Sequence, residues 1–468
     1  MILLDPRSKT PLYRQLYQQL RMKILCGEIS PKTKLISSRQ RSVELHVSRN
    51  TVDTAYQQLL AEGYVVGKAR SGYYVEPVMH QVNADAALSE EEPPVMCSGT
   101  EKNTLYNFMY GSLPVDTFPF SKWQRLTNLC LREHEAEMLR YGSSMGEFGL
   151  RREIVKYLRA YRDVNCTVDQ ILITSGTKQC ISIACQLLQS FTADIAIEDP
   201  GFQGAYFAFK AHGFGVTPVS INHHGIDVKA LDASSAKAVY ITPSHQFPTG
   251  TIMSITRRLA LIEWADKKDA YIIEDDYSSY LRYNVKPISS LQGLAPDRVV
   301  YVGSFSKVLL PSLRVAYMVL PKKLAEKLQQ QSEYNVCPVP FLMQKPLEIF
   351  LKEGYFESHV RKMTQHLKKK HDRLVAVLHE TFGDRITISG MNAGLHILLQ
   401  VHCVLSSEAL IQRACEAGIA ISENHKLWIE FTPRSDPYVL LGFGAIALDD
   451  IAPAVELLKK VWFKCNAV

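Results

Sequence analysis

The stretch "GSFSKVLLPSLRVAY", residues 303–317, holds one lysine, Lys307, behind two serines, Ser304 and Ser306, and ahead of Pro311 and Arg314. It grows out of "VVYVGS" (299–304), a short β-branched run with the look of a buried strand. A lone lysine after a strand is ordinarily a solvated surface charge. Here it shares a proline-broken turn with two hydroxyls and a guanidinium. The turn falls where a strand ends, and open α/β sheets bind ligands outside the carboxyl ends of their strands.

Working outward, four more short apolar runs precede it: "QILIT" (170–174), "DIAIED" (194–199), "AVYITP" (238–243) and "AYIIEDD" (270–276). Helical stretches separate them, which predicts an α/β fold with a mostly parallel central sheet covered by helices on both faces. From about residue 356 the pattern changes. A long basic helical stretch, "ESHVRKMTQHLKKKHDRLVAVLHETF", leads to shorter strands at "GLHILLQV" and "YVLLGFG". This reads as a smaller α+β C-terminal subdomain.

The strand ends carry a consistent set of side chains. "ITSGTKQCISIACQLL" (173–188) runs from strand through a small polar turn into a helix, so Ser175, Gly176 and Thr177 offer amides and hydroxyls to a phosphate. "IEDPGFQGAY" (197–206) puts Phe202 in a turn, placed to lie over a ring, and "TPSHQFPTG" (242–250) is a polar loop after a strand. "IIEDDYSSY" (272–280) ends a strand with Asp275 and then Tyr277. Together with Ser304, Ser306, Lys307 and Arg314 these are the ligand types that pyridoxal phosphate requires. It needs an amine for its aldehyde, a carboxylate for its pyridinium nitrogen, a phosphate cradle, a stacking aromatic and a phenol or amide for its 3-oxygen.

Over roughly residues 105–465 the chain resembles the fold type I aminotransferases; "NFMYGSLPVDTFPFSKW" (107–123) and "YGSSMGEFGLRREIVKYL" (141–158) look like that family's N-terminal segment and substrate-side loop. The resemblance implies Lys307 as the Schiff-base lysine, Asp275 opposite the ring nitrogen and Tyr277 at the 3-oxygen. It places Ser175, Gly176, Thr177, Ser304 and Arg314 at the phosphate, and adds His245 and Gln246 as further cofactor contacts. It also implies a homodimer. Three departures stand out. Ser312 and Ala316 replace glycines of "PGLRLGY", Phe202 stands where tyrosine is frequent, and Leu440 occupies the place of the arginine that clamps a substrate carboxylate. Arg434, six residues earlier, is then the candidate effector-binding group.

The first 76 residues differ from the rest. They hold twelve Lys+Arg and six Asp+Glu, a net of +6 that equals the charge of the whole chain, so the remaining residues sum to about zero. A basic head on a neutral body suggests a polyanionic partner. "PLYRQLYQQLRMKILCGE" (11–28) spaces Leu12, Leu16, Leu20 and Ile24 by four and predicts an amphipathic helix stopped near Gly27. "SSRQRSVELHVSRNTVDTAYQQLLAEGY" (37–64) predicts two helices around a turn near His46-Val47, with Ser48 as an N-cap; "YVVGKARSGYYVE" (64–76) predicts a two-stranded wing. This resembles the winged helix-turn-helix of the GntR regulators, and head followed by body is the order of their MocR group. The resemblance implies that Arg39, Arg49, Asn50, Thr51, Lys68, Arg70 and Gly72 face double-stranded DNA; Arg41 is one more candidate phosphate contact.

The expected organisation is therefore a DNA-binding domain (1–76), a linker (77–103) containing three consecutive glutamates, Glu90 to Glu92, and Pro93-Pro94, and an aminotransferase-like domain (104–468). The expected function is transcription regulation, with the second domain sensing a small-molecule effector such as an amino acid, an amine or pyridoxal phosphate itself. The competing readings are an active aminotransferase with an accessory DNA-binding domain and a scaffold without cofactor. No apolar run approaches the roughly 18 residues a membrane helix needs. No leader pattern opens the chain, and the ten cysteines lack any CxxC pair. These features argue for a cytoplasmic protein without a zinc site.

Overall fold

The computed structural model describes residues 2–8, 10–68, 71–77, 104–114, 117–283, 288–331, 336–422, 427–429 and 437–463. The chain forms two compact units, Met1–Gly99 and Thr100–Val468. Arg70, Arg434 and nearly all of the expected linker lie outside the described residues.

In the first unit, α1 (Leu12–Leu25) buries Leu16, Tyr17, Leu20 and Ile24, and Gly27 beyond it takes a left-handed φ of 81°. α2 (Ser38–Glu44) is capped by Ser37, whose hydroxyl accepts the Gln40 amide at 3.2 Å. α3 (Arg49–Ala61) is capped by Ser48, accepting the Thr51 amide at 3.1 Å. Val52, Ala55, Tyr56 and Leu59 of α3 close one apolar core with the buried face of α1. β1 (Val65–Lys68) and β2 (Gly72–Val75) pair antiparallel, with Val65 and Val75 turned into that core. Arg41 does not reach outward. Its side chain is buried and donates to Glu44 at 2.9 Å, so it packs within the helix pair and is no phosphate contact.

The second unit opens with β3 (Tyr106–Phe108). Its central sheet comprises β4 (Ile171–Thr174), β5 (Asp194–Asp199), β6 (Gly215–Asn222), β7 (Gly225–Ile226), β8 (Ala238–Ile241), β9 (Tyr271–Asp275), β10 (Val299–Ser304) and β11 (Ala316–Val319). Their spatial order is 4-11-10-9-8-5-6-7. The run from β10 through β9, β8 and β5 to β6 is parallel; β11, between β4 and β10, is antiparallel to both. Continuous burial of β4, β8, β9, β10 and β11 fits a sheet covered on both faces. β12 (Ile386–Ser389), β13 (His396–Val401), β14 (Ile419–Ile421) and β15 (Tyr438–Gly442) belong to the smaller subdomain, where β12, β13 and β15 form an antiparallel sheet beyond a 28-residue helix, Tyr355–Phe382. β14 pairs in parallel with β3, so the first strand of this unit joins the subdomain formed by its last residues. Among the described residues, no helix is long and apolar enough to cross a membrane.

Candidate functional site

β9 lies between β8 and β10 near the middle of the sheet, and the chain leaves the carboxyl ends of all three on the same side. Those ends, with the turns after β4 and β5, surround one cavity. It is lined by Tyr110, Thr177, Phe202, Thr242, Phe247, Asp275, Tyr277 and Lys307. An adjoining recess shares several of these residues and adds Gly176, Ser304, Ser306 and Arg314. Residues from positions 110 to 314 thus converge although they arise from six separate segments.

Asp275 is 4 % exposed. Its Oδ2 accepts a hydrogen bond from Tyr240 Oη at 2.5 Å, while Oδ1 is buried with no partner among the described residues. Burial pushes its carboxyl up to about 7; the Tyr240 bond and Lys307 work downward, the neighbouring Asp276 upward. Burial likewise lowers the Lys307 amine to about 8, against the pull of Asp275. Lys307 Nζ stands 4.1 Å from the centroid of the Tyr110 ring. Asp276 points the other way and is claimed by Arg162 Nε at 2.7 Å and Tyr301 Oη at 2.5 Å. Burial opposes its charge, but Arg162 and Tyr301 prevail and hold the carboxyl below its ordinary range.

The recess is built to take an anion. Gly176 precedes the helix Thr177–Leu188 with φ +135°, and a side chain there would run into the Arg314 guanidinium. Only glycine lets that guanidinium approach the first, unpaired amides of the helix. The Ser304 hydroxyl accepts the Ser306 amide at 3.2 Å, and Ser306 Oγ is buried with no partner among the described residues.

Three sequence-nominated residues do not line the cavity. His245 stands behind Tyr277, its Nδ1 3.0 Å from the phenol oxygen. Burial depresses its ring to about 4, and that of neighbouring His396 to about 3, so both are neutral. The Gln246 amide is spent on Pro200 O, Phe247 O and the Thr249 hydroxyl, at 2.6–2.8 Å, and organises its own loop. Ser175 donates from its amide and hydroxyl to Gln179. Conversely, Tyr110, Phe247, Tyr240 and Glu198 were not anticipated. Gly111, with φ +92°, lies against Lys307 Nζ, and the "YG" pair at 110–111 was the available signal for Tyr110. Glu198 is buried beneath Thr242, accepting its amide at 2.9 Å and its hydroxyl at 2.8 Å.

On the first unit, Arg39, Arg49 and Asn50 are exposed at the starts of α2 and α3. Arg49 Nε lies 3.5 Å from Asp53 one turn on, and the Thr51 hydroxyl is shared with the Ser48 cap at 2.8 Å. In the wing, Lys68 Nζ sits 4.7 Å over the Tyr74 ring and Gly72 turns the chain at φ +107°.

Residues 12–75 match the family of bacterial regulatory proteins, gntR family, and residues 113–430 match aminotransferase class I and II. The chain is 37 % identical to the uncharacterized HTH-type transcriptional regulator YhdI of Bacillus subtilis (strain 168), over 98 % of this chain and 97 % of that one. It is 31 % identical to the probable rhizopine catabolism regulatory protein MocR of Rhizobium meliloti, over 99 % and 96 %. Among solved structures, the Pyrococcus horikoshii kynurenine aminotransferase superposes with a TM-score of 0.70 at 22 % identity, covering 78 % of this chain and 93 % of that one; the likeness is one of fold. Fold and matches together define a GntR-type helix-turn-helix protein joined to a fold type I aminotransferase domain. The chain belongs to the MocR-like group of GntR transcriptional regulators.

Proposed function

We propose that this chain binds double-stranded DNA through Arg39, Arg49, Asn50, Thr51, Lys68, Arg70 and the Gly72 turn, acts as a cytoplasmic homodimer, and holds pyridoxal phosphate on Lys307 to sense a small-molecule effector. The observation that carries the cofactor assignment is a pair of buried atoms without a partner among the described residues, Asp275 Oδ1 in the cavity and Ser306 Oγ in the adjoining recess, with Lys307 lining both. A ring nitrogen suits the first and a phosphate oxygen the second. The Gly176–Arg314 contact leaves helix amides and a guanidinium beside the same recess.

In this reading Arg314, Ser306, Ser304, Gly176 and Thr177 hold the phosphate, Phe202 covers the ring, and Tyr277 donates to the 3-oxygen with His245 fixing its hydroxyl. Asp275 keeps the ring nitrogen protonated, and Tyr240 orients Asp275. The cofactor, when bound, supplies an aldehyde for the lysine amine and an electron-withdrawing ring. Burial holds Lys307 near the neutral form in which it is a nucleophile. The effector regulates only if it binds DNA-competent and incompetent states unequally. The matched regulators and the leucine at position 440 favour sensing over efficient transamination.

The test is Lys307→Ala. The wild-type chain should purify with, or take up, a visible absorbance band that borohydride reduction traps as a mass increment on the peptide containing Lys307. The variant should lose both and keep its fold by circular dichroism. Retention of the same band by the variant would exclude Lys307 as the anchor.

A further inference from the structure

Lys307 and Asp275 both line the cavity, and Asp275 Oδ1 is buried with no partner among the described residues. A buried ammonium is ordinarily drawn to such an oxygen. No ion pair joins the two. Lys307 Nζ stands instead 4.1 Å from the centroid of the Tyr110 ring, within the range of a cation–π contact.

The fold sets that ring from several sides. The Tyr110 amide donates to Ser422 Oγ at 2.7 Å, just past β14, the strand with which β3 pairs. The ring packs on Phe247 with centroids 5.4 Å apart and meets His396 of β13 edge-on at 5.0 Å. Gly442 of β15 lets the segment lie close, since a side-chain carbon there would stand 2.8 Å from Tyr110 Cα. One residue on, a side-chain carbon at Gly111 would stand 2.8 Å from Lys307 Nζ. The backbone thus passes beside the amine and presents it one aromatic face. The titratable groups around Nζ are Tyr110, Tyr277, His396 and Asp275. Burial keeps both phenols and the imidazole neutral, so Asp275 is the charge that competes with the ring. Arg314, in the adjoining recess, carries a like charge and does not attract it.

We propose that Tyr110 is a positioning residue for Lys307: its ring face seats the cofactor-free ammonium away from Asp275, which leaves the carboxylate open to the cofactor's ring nitrogen. This rests on the reading that Lys307 holds pyridoxal phosphate. An ammonium paired with Asp275 would fill the place of the ring nitrogen and hold its proton more firmly. Seated on Tyr110, it leaves that oxygen open, and its amine, once neutral, forms the bond to the aldehyde carbon with loss of water.

The experiment follows cofactor capture by full-length, cofactor-free protein across about pH 6–10, by stopped-flow absorbance, in the wild type, Tyr110→Phe and Tyr110→Leu. The wild-type rate should rise with a midpoint near pH 8. Tyr110→Phe keeps the ring face and should keep that midpoint. Tyr110→Leu frees the ammonium to pair with Asp275. It should move the midpoint up by about one unit, the low end of what a neighbouring opposite charge does, so that capture at neutral pH falls about tenfold. Where the leucine variant fails to fold by circular dichroism, pentafluorophenylalanine at position 110 keeps the ring shape, reverses its quadrupole and should give the same upward shift. A midpoint unmoved by leucine or by the fluorinated ring, capture slowed equally at every pH, or a midpoint moved by Tyr110→Phe overturns the proposal. If the wild-type protein takes up no cofactor, the underlying reading fails and the proposal falls with it. If cofactor is taken up and the midpoints do not separate, the proposal alone fails.

Discussion

Tyr240 shows how a residue with no contact to the cavity can govern one that has it. It is fully buried on β8, and its phenol donates to Asp275 across neighbouring strands. Replacing it with phenylalanine removes a hydrogen bond to a charged group, worth about 1.5–3 kcal/mol. We expect Tyr240→Phe to raise the Asp275 carboxyl further and weaken cofactor retention, read as a higher dissociation constant for pyridoxal phosphate in dialysis. Unchanged retention would mean that Asp275 needs no orienting partner. Lys307 gives a pH prediction. Its amine titrates near 8 instead of the ordinary 10.5. Cofactor capture needs the neutral amine, so its rate should rise through about pH 8, measurable by stopped-flow absorbance. The linkage has a definite sign. Between pH 8 and 10.5 the unfolded chain binds the extra proton, so the cofactor-free fold should gain stability as pH rises across that window.

At the scale of elements, the start of α3 joins a cap to a recognition surface. Ser48 accepts the Thr51 amide and shares a hydrogen bond with its hydroxyl, which fixes the turn bearing Arg49 and Asn50. Ser48→Ala should cost the head about 1 kcal/mol, seen as a lower melting temperature, together with weaker DNA binding. Arg49→Ala should instead weaken DNA binding while leaving both the melting temperature and the cofactor content unchanged. Its side chain is exposed and its partner, Asp53, lies on the same helix face. An exposed pair of this kind contributes little to stability. A gel-shift assay beside an absorbance spectrum separates the two variants.

At the scale of the molecule, the two units have separate cores, and the head's closes within residues 1–77 through Leu16, Leu20, Ile24, Val52, Tyr56 and Leu59. A fragment of those residues should fold and bind DNA, more weakly than a full-length dimer that engages two half-sites at once. DNA binding by the full chain should be strongly salt-dependent. Each neutralised phosphate contributes about −0.9 to the slope of log K against log salt, so several contacts per head predict a slope of about −4 or steeper. A flat response in fluorescence anisotropy would place the DNA surface elsewhere than on the basic head.

What the sequence determined by itself is local. Leucines at steps of four set α1, the cap at Ser48 set the start of α3, and short β-branched runs set β4, β5, β8, β9 and β10. The order of small turn, aspartate and lysine after those strands was enough to nominate Lys307, Asp275, Tyr277, Phe202 and the Gly176–Thr177 turn, all of which meet at the cavity. Strand β6 was missed because it contains Pro218 and is only partly buried, so it lacks the apolar run that marks its neighbours. The pairing of β3 with β14 joins residues some 310 positions apart, a contact no local pattern encodes. The aromatic wall was hidden for the same reason. Tyr110 and Phe247 come from distant segments and meet at the cavity with ring centroids 5.4 Å apart, against a core that holds Leu440, and whether each faces a ligand or a core depends on which strands lie side by side. His245, Gln246 and Ser175 mark the converse limit. Their chemistry suits a ligand, but the folded loops supply partners of their own, and only the tertiary structure decides which hydrogen bonds remain for a guest.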